Sequence, residues 1–308
     1  MAEVATGWSV AVFARNEAAN LPACLHALAR AGLGPRGHVT VLLNGCSDAS
    51  PTVAAEALRA EDLAGRVFAI PQGDKANAVN AFLHALRPAA STYFFVDGYA
   101  AVAPDALRRL DQSLRDKPVA NAAAAVPSTG RSAEALRRSM VAYPGLHGSL
   151  FALRGSFVDR IVADGLRLPV GLYRGDGLLG SFVMHDLDSA TGGWLNERLE
   201  VNLDATWVSP HLRPWRWQDL RRHWYRLVQQ ARGRLQWAAL CEAIYPAGFT
   251  ALPADADAAA LRWIDAAPAQ RAPRPWRDPF AAVALRRMRR APPWGDLTPR
   301  LVAEVAAR

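Results

Sequence analysis

Short apolar runs rich in β-forming residues alternate with helix-periodic segments four times before Leu114, and no other feature limits the available folds so strongly. Ser9–Ala14 (SVAVFA) precedes Glu17–Ala31, where Leu21, Leu25 and Leu28 recur at helical spacing. Val39–Leu43 precedes Ser50–Ala60, in which Ser50 is a fitting N-cap before Pro51. Val67–Ile70 then leads to Ala76–Ala85, and Tyr93–Val96 to Pro104–Leu114. Units of this kind predict an α/β fold whose parallel sheet is covered on both faces. Ligands of such sheets sit beyond the carboxyl ends of the strands, so the residues there are the ones to inspect.

After residue 120 the rhythm loosens. Asn121–Val126 and Ser149–Leu153 read as strands, Ser132–Met140 and Asp219–Arg234 as helices, and Ala205–Val208 as strand-like. Beyond that, Pro253, Pro268, Pro273, Pro275 and Pro279 break the chain into a loop-rich tail with a final helix. The sequence Gly32-Leu-Gly34-Pro-Arg-Gly37 spells a dinucleotide fingerprint but closes a helix and precedes a strand. The fingerprint requires the opposite order, so a helix C-cap and turn is the reading.

Charge sorts the candidate partners. The net +8 hides a near-neutral residues 1–210, with 19 Lys+Arg against 20 Asp+Glu. Residues 211–237 hold seven Arg and one Asp, and residues 238–308 hold 10 Arg and seven acids. Trp215, Trp217, Trp224, Tyr225 and Trp237 lie among those seven Arg. Such a stretch suits an acceptor-side surface or peripheral contact with an anionic membrane. Nucleic acid is not expected, because no binding motif accompanies the basic stretch. Cys24, Cys46 and Cys241 have neither metal-ligand nor redox spacing, there is no basic leader, and no apolar run is long enough to span a bilayer. The expected location is cytoplasmic, with a peripheral membrane contact as the variant.

Polar residues cluster at the strand ends: Ala14-Arg15-Asn16-Glu17, Asn44-Gly45-Cys46-Ser47-Asp48, Gly73-Asp74-Lys75, and Asp97-Gly98-Tyr99. Turn chemistry explains any one of these, but not all four in this order. Together with VAVFARNEAANLPACLHAL, VTVLLNGCSDASPTVAAEA, GDKANAVNAFLHAL, YFFVDGYAAVAPDAL, GSLFALRGSFVDRI and LYRGDGLLGSFV, the chain resembles the family 2 glycosyltransferases over roughly residues 8–186.

The resemblance implies a GT-A (Rossmann-like), mostly parallel sheet flanked by helices, with a helical, loop-rich C-terminal extension. Its glycosyltransferase domain would span 1–237, with a nucleotide-sugar half to about 115 and an acceptor half from 116, and 238–308 would form the extension. It also implies inverting transfer of a sugar from a nucleotide-sugar donor, a UDP-sugar, to a hydroxyl or amine of a glycan, lipid-linked or small-molecule acceptor. Ala14, Arg15, Glu17, Asn44, Lys75, Asp97 and Gly98 would bind the donor, with Asn44 at the base edge and Lys75 beside phosphate. Asp97 matches the first carboxylate of the DxD motif, which holds Mn²⁺ or Mg²⁺ in that family, and Tyr99 stands where the second would be. His211 is placed to be a further metal ligand.

Asp176 matches the general base, with Asp186 and Asp188 as fallbacks. Tyr99, Arg221 and Trp224 would lie on the acceptor side, the last two within Gln218–Trp224, a loose likeness of the family's QxxRW segment. Two alternatives remain: a degenerate relative that binds without turnover, and a nucleotidyltransferase, for which the Gly-rich loop after the first strand is lacking.

Overall fold

The computed structural model describes residues 7–33, 37–130, 133–210 and 217–307. In chain order the elements are β1 (Trp8–Ala14), α1 (Leu21–Arg30), β2 (Gly37–Asn44), α2 (Ser50–Ala60), β3 (Gly65–Ile70), α3 (Lys75–Ala81), β4 (Thr92–Asp97), β5 (Ala101–Val102) and α4 (Ala106–Asp116). They continue with β6 (Ala122–Pro127), α5 (Ala133–Ala142), β7 (Leu150–Arg154), α6 (Gly155–Ala163), α7 (Gly175–Met184) and β8 (Leu199–Val208). Then follow α8 (Trp217–Ala247), α9 (Ala256–Ala266), α10 (Pro268–Arg271), α11 (Pro279–Arg289) and β9 (Arg300–Val305).

Nine strands form one sheet in the order β5-β8-β6-β7-β4-β1-β2-β3-β9. The block β4-β1-β2-β3 is wholly parallel, as the four strand–helix repeats imply. β7 enters antiparallel to both β4 and β6, while β6 and β8 are parallel. Adjacent residues of β1 serve opposite faces: Val10 and Val12 join one core with Leu25, Val41 and Leu58, while Ala11 and Phe13 join the other. Burial on both sides is why these strands are continuously apolar rather than alternating. On the second face Phe13, Phe95 and Phe151 stack across three strands, with ring centroids 6.1 and 4.7 Å apart. Each fully buried Phe contributes about 1.5–3 kcal/mol of transfer free energy.

Several elements depart from the sequence reading. The first helix starts at Leu21 rather than Glu17, with Pro22 in its first turn, where its missing N–H costs nothing. Gly32 follows that helix at φ +85° and Gly37 opens β2, so these glycines lie between a helix and a strand, the reverse of the fingerprint order. The segment that reads as Asp219–Arg234 is part of the 31-residue α8, and the division drawn at residue 237 falls inside this helix. The tail does not end in a helix. After α11 it runs back across the molecule, where Asn77 Nδ2 donates to Leu297 O at 2.8 Å, and β9 pairs antiparallel with β3. Covering the β3 edge satisfies backbone groups that an open edge would leave to another chain.

Five of the arginines in this last part of the chain pair with acids nearby. Arg232 grips Asp257 through Nε and Nη2 at 2.8 and 2.7 Å, and Arg234, Arg271, Arg289 and Arg300 pair with Asp278, Glu242, Asp265 and Asp296. Among the described residues no helix is long and apolar enough to cross a membrane.

Candidate active site

The ends of β1 and β2 are zipped together by short polar side chains. Asn16, at φ +55°, accepts the Ser47 N–H through Oδ1 at 2.7 Å, and the Glu17 N–H donates to Ser50 Oγ at 3.1 Å. Asp48 accepts the Ala18 N–H at 3.1 Å and the Ser50 hydroxyl at 2.6 Å. Its slight burial favours the neutral form, but these donors outweigh it and hold the carboxyl below its usual range. Ala14 is buried at the end of β1, and Arg15 is exposed, its guanidinium beside Gly73: a β-carbon there would lie 3.1 Å from Cζ.

Asn44, expected at the base edge, is buried at the end of β2. Its Oδ1 accepts the Asp74 N–H at 2.7 Å, tying the end of β2 to the loop before α3. The two loops approach so closely that a β-carbon at Gly45 would fall 2.5 Å from the Gly73 nitrogen. Asp74 caps α3, accepting the Asn77 N–H at 2.6 Å and, across the cleft, the Gly171 N–H at 2.7 Å. Burial outweighs these donors and raises its carboxyl above the usual range.

Asp97 ends β4 and is 8% exposed. One carboxylate oxygen pairs with Lys75 Nζ, and the other accepts the Tyr99 hydroxyl at 2.7 Å. Burial first, and then the Asp97 charge, push the Tyr99 phenol far above its ordinary value, so it remains a donor. Partial burial opposes the charge on Lys75, but Asp97 and Asp176 outweigh it and raise the ammonium above the normal lysine range. Gly98 brings β4 against β1, its N–H donating to Phe13 O at 2.8 Å.

Asp176, in the first turn of α7, points at the same place from the other side. Its Oδ2 accepts the Gly148 N–H at 3.1 Å. Gly148 is the meeting point: a β-carbon there would lie 3.1 Å from Lys75 Nζ, 3.4 Å from Asp97 Oδ2 and 3.5 Å from Asp176 Oδ2. The fallback acids are engaged elsewhere. Asp186 pairs with Arg160 at 2.7 Å and Arg198 at 3.0 Å, and Asp188 closes a turn with the N–H groups of Ala190 and Thr191.

Sequence reasoning assigned no role to Asp74, His147, Gly148 or Trp207. His147 lies beside these charges and stacks on Trp207 of β8, centroids 4.9 Å apart. Burial lowers its pKa, Asp176 and Asp97 pull it up, and Lys75 lowers it further; the net shift is downward. A single His among Pro and Gly carries no signal in the sequence. Gly148 opened a segment already matched to the family, so its position, though not its role, was legible.

On α8, Trp224 packs edge-on against Phe280 of α11 at 5.1 Å while staying half exposed, and Arg221 is exposed. The loop before Asp176 is held by Gln236, fully buried on α8, which accepts the Tyr173 N–H at 3.0 Å and donates to Gly171 O at 2.9 Å. Burial raises the Tyr173 phenol above its ordinary value, while Arg226 lowers it and Asp176 raises it further. A cavity of about 460 Å³ between α8, α9, α11 and Trp294 includes none of the converging charges.

A hard divalent cation wants several oxygen ligands. Among the described residues no group of three or more His, Cys, Asp and Glu could hold a metal, and both oxygens of Asp97 already face donors. His211 lies outside the described residues. The described residues therefore fit such a cation poorly.

The family model described as Glycosyl transferase family 2 matches residues 9–163. No curated protein matches the chain. Among solved structures, a mannosyltransferase from Pyrobaculum calidifontis in complex with GDP-Man and Mn²⁺ is 19% identical, with a TM-score of 0.61, covering 94% of this chain and 77% of that one. Glucosyl-3-phosphoglycerate synthase from Mycobacterium tuberculosis, in complex with Mn²⁺, UDP and glucosyl-3-phosphoglycerate, is 16% identical with a TM-score of 0.52, covering 75% of this chain and 78% of that one. At these identities the likeness is one of fold.

Proposed function

Because the chain belongs to glycosyl transferase family 2, and is thus an enzyme that takes sugar from a nucleotide-sugar donor, we propose that it performs inverting transfer at Gly148 with Asp176 as general base. The observation that carries this reading is the convergence of Lys75, Asp97 and Asp176 on one backbone position from three separate elements. Arg15 and Glu17 at the joined ends of β1 and β2 would flank the nucleoside, and Lys75 the diphosphate. Asn44 acts by holding the β2 end against Asp74.

The acceptor oxygen attacks the anomeric carbon from the face opposite the diphosphate, forming the new C–O bond as the old one breaks. The electron pair of the broken bond leaves with the nucleoside diphosphate, and the acceptor proton passes to the Asp176 carboxylate. A carboxylate within hydrogen-bond reach contributes about 10²–10⁴-fold by taking that proton. Two N–H groups, from Gly148 at 3.1 Å and Gly177 at 3.0 Å, orient the Asp176 oxygens without neutralising them. His147 on Trp207 offers a flat, largely uncharged surface beside the base, suited to the face of an acceptor sugar or other small alcohol.

The donor is proposed to be a UDP-sugar, and the two similar structures carry GDP and UDP respectively, so the test includes both. Purified full-length protein given UDP- and GDP-sugars, with a panel of acceptors, should release free nucleoside diphosphate. Asp176→Asn, which preserves shape and one acceptor oxygen, should reduce kcat by about 10²–10⁴-fold with donor binding intact. Full turnover in that variant, or no release from any donor, would contradict the assignment.

A further inference from the structure

Tyr99 occupies the place where the family resemblance calls for a second carboxylate, and its contacts say what replaced it. Its hydroxyl is donated to Asp97 Oδ2 at 2.7 Å, with Ser149 Oγ 3.4 Å away. The other Asp97 oxygen is taken by Lys75. An acid that would share a cation with a neighbouring acid is instead held between an ammonium and a phenol, and it is nearly buried.

Resting on the donor reading above, we propose that Lys75, positioned by Asp97 and Tyr99, supplies the positive charge against the donor diphosphate that a divalent cation supplies elsewhere. Two carboxylates facing a diphosphate form a site so negative that a divalent cation is needed to assemble it. Here one of the two is absent, and the charge of the other is cancelled by the lysine. The cation is therefore covalently part of the chain.

Geometry leaves Lys75 able to do this. An ammonium has three hydrogens, Asp97 takes one direction, and the Lys75 side chain is 47% exposed. Its Nζ also lies 5.8 Å from the Phe13 ring centroid, so one flank rests on an aromatic face. Arg15, beside Gly73, adds a second cation on the nucleoside side of the same loop. A cation ligated by Asp97 would sit beside the Lys75 ammonium that already pairs with it.

The test uses the whole protein after chelator treatment, with UDP and GDP titrated calorimetrically in EDTA and again with added Mn²⁺. At least one nucleotide should bind in EDTA, with Kd changed less than about threefold by Mn²⁺. Lys75→Met should weaken it by about tenfold or more, and Lys75→Arg, which keeps the charge, should recover most of that loss. Tyr99→Asp restores the second carboxylate and should make the same binding tighten by about tenfold or more with Mn²⁺.

Wild-type binding that needs Mn²⁺, or that survives in Lys75→Met, overturns the proposal and leaves the donor reading standing. Absence of binding in both arms overturns the two together. The wild-type arms decide the matter even if a variant fails to fold.

Discussion

Gly148→Ala puts one methyl group at the point where the three charged side chains meet. The β-carbon would stand 3.1 Å from Lys75 Nζ, 3.4 Å from Asp97 Oδ2 and 3.5 Å from Asp176 Oδ2. All three neighbours are the far ends of side chains, and the Gly148 φ is not in the left-handed region, so the backbone can accept alanine. Gly→Ala at a compatible position stabilises by about 0.4–1 kcal/mol through the unfolded chain, which offsets the crowding at Nζ. The net change in stability should stay within about 1 kcal/mol, or about 2–4 °C in Tm.

Catalysis has no such tolerance. The methyl occupies the space between cation and base that reacting groups must share, and a displacement of about 1 Å costs about 10²-fold. Donor-dependent release of nucleoside diphosphate and a thermal melt, measured on the same preparation, separate the two effects. A kcat/KM near wild type would refute the placement of the reaction at Gly148. A Tm lower by about 10 °C would instead mean that the backbone requires glycine there, and the stability reasoning would be wrong.

Other expectations concern the scaffold around that point. His147 has a folded pKa below its ordinary value of 6.5, so the unfolded chain binds more protons just beneath that pH. Stability should therefore be full above pH 6.5 and fall on acidification, and His147→Asn should flatten part of that slope in urea melts from pH 5 to 7.5, with His38 and His84 keeping the rest. An unchanged slope would mean the ring is not held neutral. Trp224→Ala removes the contact with Phe280 and should cost about 1–2 kcal/mol by denaturant unfolding while sparing turnover; a large loss of turnover at unchanged stability would return Trp224 to the acceptor side. Gln236→Leu strips partners from the Tyr173 N–H, Gly171 O and Asp257, at about 1–3 kcal/mol for each group left unpaired. It should also slow turnover through the displaced Asp176 loop, and wild-type kinetics would show that loop to be held by other contacts.

The parallel block of the sheet was legible because burial on both faces demands continuous apolar strands, and Val10–Phe13 or Val39–Leu43 read as nothing else. Asp97 and Asp176 were legible because each follows or opens an element within a recognisable segment. The edge strand Arg300–Val305 was hidden: its pattern is mostly exposed, and its partner β3 lies more than 200 residues earlier. The contact of Asn44 with the Asp74 backbone was hidden for a related reason, since that N–H comes from another loop.

What the sequence determined by itself is the order of strands and helices, the family, and the kinds of residue at each strand end, because local periodicity and turn chemistry are properties of neighbouring residues. Only the tertiary structure decided which of those residues face one another. Asp97 divides its oxygens between Lys75 and Tyr99, and Asp176 reaches the same glycine from another helix, across separations in the chain that no local pattern encodes. The replacement of a carboxylate by Tyr99 looks like a missing ligand in sequence. In space it is a hydrogen-bond donor, because its geometry and burial keep the phenol protonated against Asp97.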